Sequence, residues 1–175
     1  MKHQTGSLLV ACSALLIATG CREDVSSQSS ESSQGATLAG AWRSQVRFSG
    51  GILAGMSDLE FLYAYNAGGT MTESSNYDEA ANSSPPAYGV WKKTGPQRFE
   101  TKYLFFQTRA PGPIDGIASA GGWLPAGHGV LTESITLSAD GTSYTSTIKY
   151  DSFDKTGKPT EVGGDGSGKG TRIVF

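Results

Sequence analysis

The sequence predicts an all-β fold, an eight-stranded antiparallel up-and-down β-barrel. Three observations carry that expectation: apolar and polar residues alternate with period two in short runs from Leu38 onward, Gly, Pro, Asn, Asp and Ser cluster between the runs, and no stretch of twelve or more residues carries an apolar stripe at helical spacing. A sandwich would also use eight short strands. The barrel is preferred because closure removes both exposed edges and leaves an interior just wide enough for side chains or one small ligand.

The elements follow in order. The first strand, Leu38 to Phe48, sets Trp42, Ser44, Val46 and Phe48 against Arg43, Gln45 and Arg47. In the second, Asp58 to Asn66, Leu59, Phe61, Tyr63 and Tyr65 share one face. Asn66-Ala67-Gly68-Gly69 turns the chain into the third, Thr70 to Tyr77, and the Asn, Ser and Pro residues from Asp78 to Pro86 end it. The fourth, Ala87 to Thr94, turns at Gly95-Pro96 into the fifth, Arg98 to Arg109, which is rich in aromatics. An eighteen-residue loop, Ala110 to Gly127, precedes the sixth at about Gly129 to Ser138. Ala139-Asp140-Gly141-Thr142 is a hairpin signal leading to the seventh, Ser143 to Phe153. The eighth is expected at Lys169 to Phe175, after a flexible glycine-rich loop.

Composition narrows the function classes. Fourteen Lys and Arg against sixteen Asp and Glu, in 175 residues, leave no basic footprint for nucleic acid. Two Cys cannot make a disulfide scaffold, and His3 and His128 cannot make a histidine-rich metal site. No metal or cofactor is expected.

The N-terminus reads as an address. Lys2 is followed by an eleven-residue apolar run, Leu8 to Ala18, and then by small residues before Cys21. That run is shorter than the about 20 residues a membrane-spanning helix needs, so residues 1–20 are expected to be a cleaved secretory signal. Ala18-Thr19-Gly20-Cys21 resembles a bacterial lipobox, which implies lipidation of Cys21; the alternative is ordinary signal cleavage with Cys21 an incidental thiol. Loss of Lys2 leaves thirteen basic and sixteen acidic residues, a charge of −3, and no thiol apart from Cys21. Residues 21–37 form a Ser-rich stretch expected to be a disordered tether, spanning roughly 20 to 25 Å, between lipid and a barrel domain at 38–175. The expected place is outside the inner membrane, lipid-anchored; in a Gram-negative cell, Arg22 in place of an Asp favours the outer membrane, facing the periplasm or the surface.

Gly40-Ala41-Trp42 on the opening strand, with Arg172 on the last, resembles the signature of the calycins, the lipocalins and fatty-acid-binding proteins. The resemblance implies that the Trp42 indole packs under the Arg172 guanidinium where first and last strands meet. Gly69-Thr70-Met71-Thr72-Glu73, Gly89 to Gly95 and Gly170-Thr171-Arg172-Ile173 are similar to stretches of bacterial lipocalin-like proteins. Fold is what this resemblance implies.

Other constellations weaken on inspection. Gly163 to Gly170 imitates a phosphate-binding loop, but Gly170 stands where a Ser or Thr is needed and no helix follows. Asp151, Asp154, Glu161 and Asp165 lack the ligand spacing of a calcium loop. Ile114, Ile117, Trp123 and Leu124 in the long loop either cap the barrel or cover its wall. Glu73 and Glu133 share faces with apolar residues; if those faces point inward, Arg43, Arg47, Lys93 or Arg172 is the expected partner.

Three functions follow. The first is a binding protein holding a small apolar or amphipathic ligand with Tyr63, Glu73, Trp91, Tyr103, Phe105, Trp123 and Glu133, for which a cavity of ~300 Å3 or more is the expected sign. The second is a packed envelope protein that binds a partner through its outer wall, a homodimer being one form of this. The third is a cofactor-free cyclase or isomerase, similar in fold to allene oxide cyclase, with Glu73, Glu133, Tyr63 or His128 moving a proton.

Overall fold

The computed structural model describes residues 36–77, 85–110 and 124–175. The signal segment, Cys21 and most of the tether lie outside these residues, as do Ile114, Ile117 and Trp123. The described chain forms eight strands: β1 Gly40–Phe48, β2 Leu59–Tyr65, β3 Thr70–Ser75, β4 Ala87–Gly95, β5 Arg98–Arg109, β6 Leu124–Leu137, β7 Ser143–Asp154 and β8 Gly164–Arg172. Each pairs antiparallel with the next, and β8 returns to β1, closing the barrel.

The up-and-down order sorts the connections between two ends. Gly40, Arg172 and the hairpin turns β2–β3, β4–β5 and β6–β7 share the tight-turn end; the connections β1–β2, β3–β4, β5–β6 and β7–β8 share the loop end. Asp140 pins one hairpin: its carboxylate accepts from Ser138 Oγ at 2.6 Å and from the Thr142 amide and hydroxyl. These bonds, the one from Ser138 foremost, hold it down at about 2.

Most boundaries fall within three residues of expectation, and two differ by more. β6 begins at Leu124, so Leu124 to His128 belong to the wall and not to the long loop; Pro125 and Gly127 hide the strand signal, yet Gly127 pairs with both Gln107 and Asp154. The glycine run expected as a flexible loop is β8 itself. Its inward positions are Gly164, Gly166, Gly168 and Gly170, the last two buried. A Cβ on Gly170 would lie 2.1 Å from the Tyr144 ring, and one on Gly168 would lie 2.5 Å from Ser146 Oγ. Glycine, a poor strand former, is used here because β7 and β1 place their side chains across β8.

Candidate functional site

The barrel interior divides into three levels. At the loop end lies a cavity of about 250 Å3, whose walls include Phe48, Leu59, Phe61, Phe105, Leu131 and Tyr150. Its polar lining includes Glu73, Ser75 and Gln107. Tyr150 stands edge-on to Phe48 and tilted against Phe105, with ring centroids 6.1 and 5.9 Å apart. Gln107 Nε2 donates to Tyr150 Oη at 2.7 Å and to Ser152 Oγ at 3.1 Å, fixing that wall. Gly129 makes room for it, since a Cβ there would lie within 2.3 Å of the Phe105 ring.

Deeper in the barrel is a polar level. Tyr63 faces Glu73 across β2 and β3, and Tyr63 Oη lies 2.9 Å from Tyr103 Oη in a buried hydrogen bond. Glu133, opposite Thr101 on β5, is wholly buried. Burial pushes its carboxyl up to about 7, opposed by Ser146 and Tyr63, which come close without closing a hydrogen bond of good geometry to either oxygen. The hydroxyls of Ser44, Thr101, Ser146, Tyr65 and Tyr144 likewise close no hydrogen bond of good geometry among the described residues, although Tyr144 comes close to Ser44 and Tyr65. Such a concentration of unsatisfied groups is unusual for a native core.

The expected basic partner of Glu133 is not there. Arg43 points outward and pairs with Glu60 at 2.6 Å, Arg47 and Lys93 are exposed, and Arg172 sits at the tight-turn end. Alternation along β1 puts both Arg43 and Arg47 on the outer phase, so neither can reach inward. Tyr63, Tyr65, Tyr103 and Tyr144 surround the carboxyl, and their own acidities fall, first through burial and then through the charge of Glu133. They therefore remain neutral hydroxyls, able to donate or accept. Among the described residues no group of His, Cys, Asp and Glu has the makings of a metal site.

The third level fills the tight-turn end. Trp42 is fully buried, its Nε1 donates to Leu38 O at 2.9 Å, and the Arg172 guanidinium carbon lies 4.2 Å from its ring centroid. Gly40, with φ of +135°, lets the guanidinium pass: a Cβ there would lie 2.5 Å from Arg172 Nη1. Trp91 also belongs to this end. It packs edge-on to Tyr65 and Phe99 and donates Nε1 to Asn66 O at 2.9 Å.

Of the residues expected to touch a ligand, Phe105 and Glu73 line the cavity, while Tyr63, Tyr103 and Glu133 lie at the polar level. Trp91 is at the far end, and Trp123 falls outside the described residues. His128, half-buried, stacks on Phe153 at 4.9 Å in the wall. Sequence reasoning missed Tyr65, Tyr144, Ser44, Ser146 and Thr101 as a group around Glu133, and Tyr150 and Gln107 in the cavity wall. Their inward phase could be read from strand alternation; their convergence is set by strand stagger. No protein-family model matches the chain, and no curated protein matches it at a significant level, so the geometry carries the functional reading.

Proposed function

We propose that the protein is a lipocalin-like lipoprotein, anchored in the cell envelope through Cys21, whose barrel binds one small, largely apolar ligand. The observation that supports this most directly is the cavity of about 250 Å3 at the loop end, walled by aromatic and aliphatic side chains with a few polar groups. Binding cavities generally combine those two features. The volume lies just below the ~300 Å3 lower bound of ordinary ligand pockets and above the ~150 Å3 that holds benzene. It therefore suits a compact ligand better than a long acyl chain. The anchor follows from the lipobox-like Ala18-Thr19-Gly20-Cys21, and the lipocalin-like reading from the closed barrel together with Gly40, Trp42 and Arg172.

The test is native mass spectrometry of the full protein extracted from its host's membranes. The expected result is a lipidated chain carrying an additional small mass that is lost on denaturation. A bare mass, unchanged after incubation with a host lipid and metabolite extract, would overturn the binding reading.

A second reading has its own support on the outer wall. Tyr88, Val90, Leu104 and Phe106 are exposed on β4 and β5, with Tyr88 directly opposite Leu104. Such a patch suits a protein partner. Crosslinking in intact cells that depends on Phe106 would favour it.

A further inference from the structure

We propose that the Glu133 carboxylate, with the hydroxyls of Ser44 and Ser146, forms an enclosed site for one dehydrated monovalent cation of the sodium or potassium kind. The site lies at the polar level, beyond the apolar cavity, and does not depend on the ligand reading above. Its geometry centres on Gly168 of β8. The point where a Cβ of that residue would stand is 2.5 Å from Ser146 Oγ and 3.3 Å from both Glu133 Oε1 and Ser44 Oγ. Ser146 lies opposite Gly168 on β7, Ser44 is on β1 at the other side of β8, and Glu133 reaches across from β6. Three strands thus aim oxygen atoms at a stretch of wall without side chains. All three residues are more than nine-tenths buried, and none of the three oxygens closes a hydrogen bond of good geometry.

Water would meet only part of what this arrangement needs. It would complete hydrogen bonds but leave the Glu133 charge alone in a low-dielectric interior, where no Lys, Arg or His is buried among the described residues. A cation offsets the charge as well. Every atom aimed at the point is an oxygen, the donor type of hard cations, and a ring of oxygens can replace an ion's hydration shell. One carboxylate balances one positive charge. Calcium sites draw on several carboxylates and magnesium retains part of its water shell, and no metal-binding group of three or more His, Cys, Asp and Glu occurs among the described residues. The serine protons have acceptors: Ser44 approaches Tyr144, and Ser146 approaches Glu133 itself, so each hydroxyl can turn a lone pair to the shared point.

The experiment is thermal unfolding of the detergent-solubilised full chain at pH ~8, where Glu133 is ionised, in sodium, potassium and choline chloride of equal ionic strength. Choline, too large to be enclosed there, is the reference. The expected midpoint is about 3 °C or more higher in sodium or potassium than in choline, rising with concentration and then saturating. Glu133→Gln, which keeps the shape of the side chain, should melt at one temperature in all three salts. Ser146→Ala should keep the response but need at least about threefold more salt to reach half of it. Equal midpoints of the unmodified protein in the three salts overturn the proposal and leave the level to water. A response that survives in Glu133→Gln overturns the site by placing the ion elsewhere, and one unchanged in Ser146→Ala overturns the geometry at Gly168.

Discussion

Arg172 holds its guanidinium carbon 4.2 Å from the centroid of the Trp42 ring while donating to the carbonyls of Ala39 at 2.7 Å and Gly141 at 2.8 Å. One side chain thus joins the chain entering β1, the end of β8 and the β6–β7 hairpin. Arg172→Met removes the cation–π contact and leaves carbonyls unpaired, and is expected to cost about 2 to 4 kcal/mol. Arg172→Lys should recover less than half of that, because an ammonium cannot present the planar fork. Urea unfolding followed by tryptophan fluorescence measures both. Equal stability of Arg172→Met and the unmodified protein would refute the contribution.

Glu133 sets a pH dependence. Its carboxyl is held at about 7 in the fold against 4.5 as the reference. The folded state therefore binds more protons at this group than the unfolded state between those values, and the contribution of Glu133 to stability is greatest below about 4.5 and is lost as pH rises through about 7. The loss attributable to this group is roughly 3 kcal/mol. Glu133→Gln should be more stable than the parent at pH ~8 and show a flatter profile down to pH ~5. Thermal melts across that range decide it; an unchanged slope in the variant would show that Glu133 is not the titrating group.

The Tyr63–Tyr103 hydroxyl pair predicts strong non-additivity. Tyr63→Phe or Tyr103→Phe each leaves a buried hydroxyl without this partner and should cost about 1 to 2 kcal/mol. The double variant removes both hydroxyls and should cost clearly less than the sum of the singles. Chemical denaturation of the four proteins gives the coupling, and simple additivity would count against a hydrogen bond between them.

The glycine face of β8 predicts a rescue. Gly170→Ala drives a methyl to 2.1 Å from the Tyr144 ring and should destabilise by about 3 kcal/mol or more. Tyr144→Leu in the same chain withdraws the ring, so the double variant should be more stable than Gly170→Ala alone. A double variant no better than the single would place the clash elsewhere.

Much of the barrel was legible because β1, β2, β5 and β7 alternate apolar and polar residues over many positions. Closure followed from the number of strands and the cost of free edges, and with it the pairing of β1 with β8 that brings Trp42 near Arg172. Of β8 only the end, from Lys169, was legible as strand: in the run before it glycine has no hydropathy to alternate, and its poor strand propensity reads as loop. The environment of Glu133 was half legible. Its alternation with Leu131, Ile135 and Leu137 gave a shared face, but the expectation of a basic partner assumed that a buried charge must be paired. The structure instead keeps the carboxyl among hydroxyls and raises its pKa, a solution that leaves no mark in local sequence.

The bare inner face of β8 has a consequence for how the barrel finds its final alignment. Strand register is usually checked by side chains, because a wrong offset puts the wrong group in the core. On β8 an offset of two residues replaces one inward glycine by another and offends nothing along the strand. The side chain that marks the correct offset is Arg172, which shares the inward phase of the glycines and stands at their end, opposite Trp42. The last strand is therefore aligned from its terminus, like a zip fixed by its final tooth, and loss of Arg172 should admit misaligned barrels as well as weaker ones.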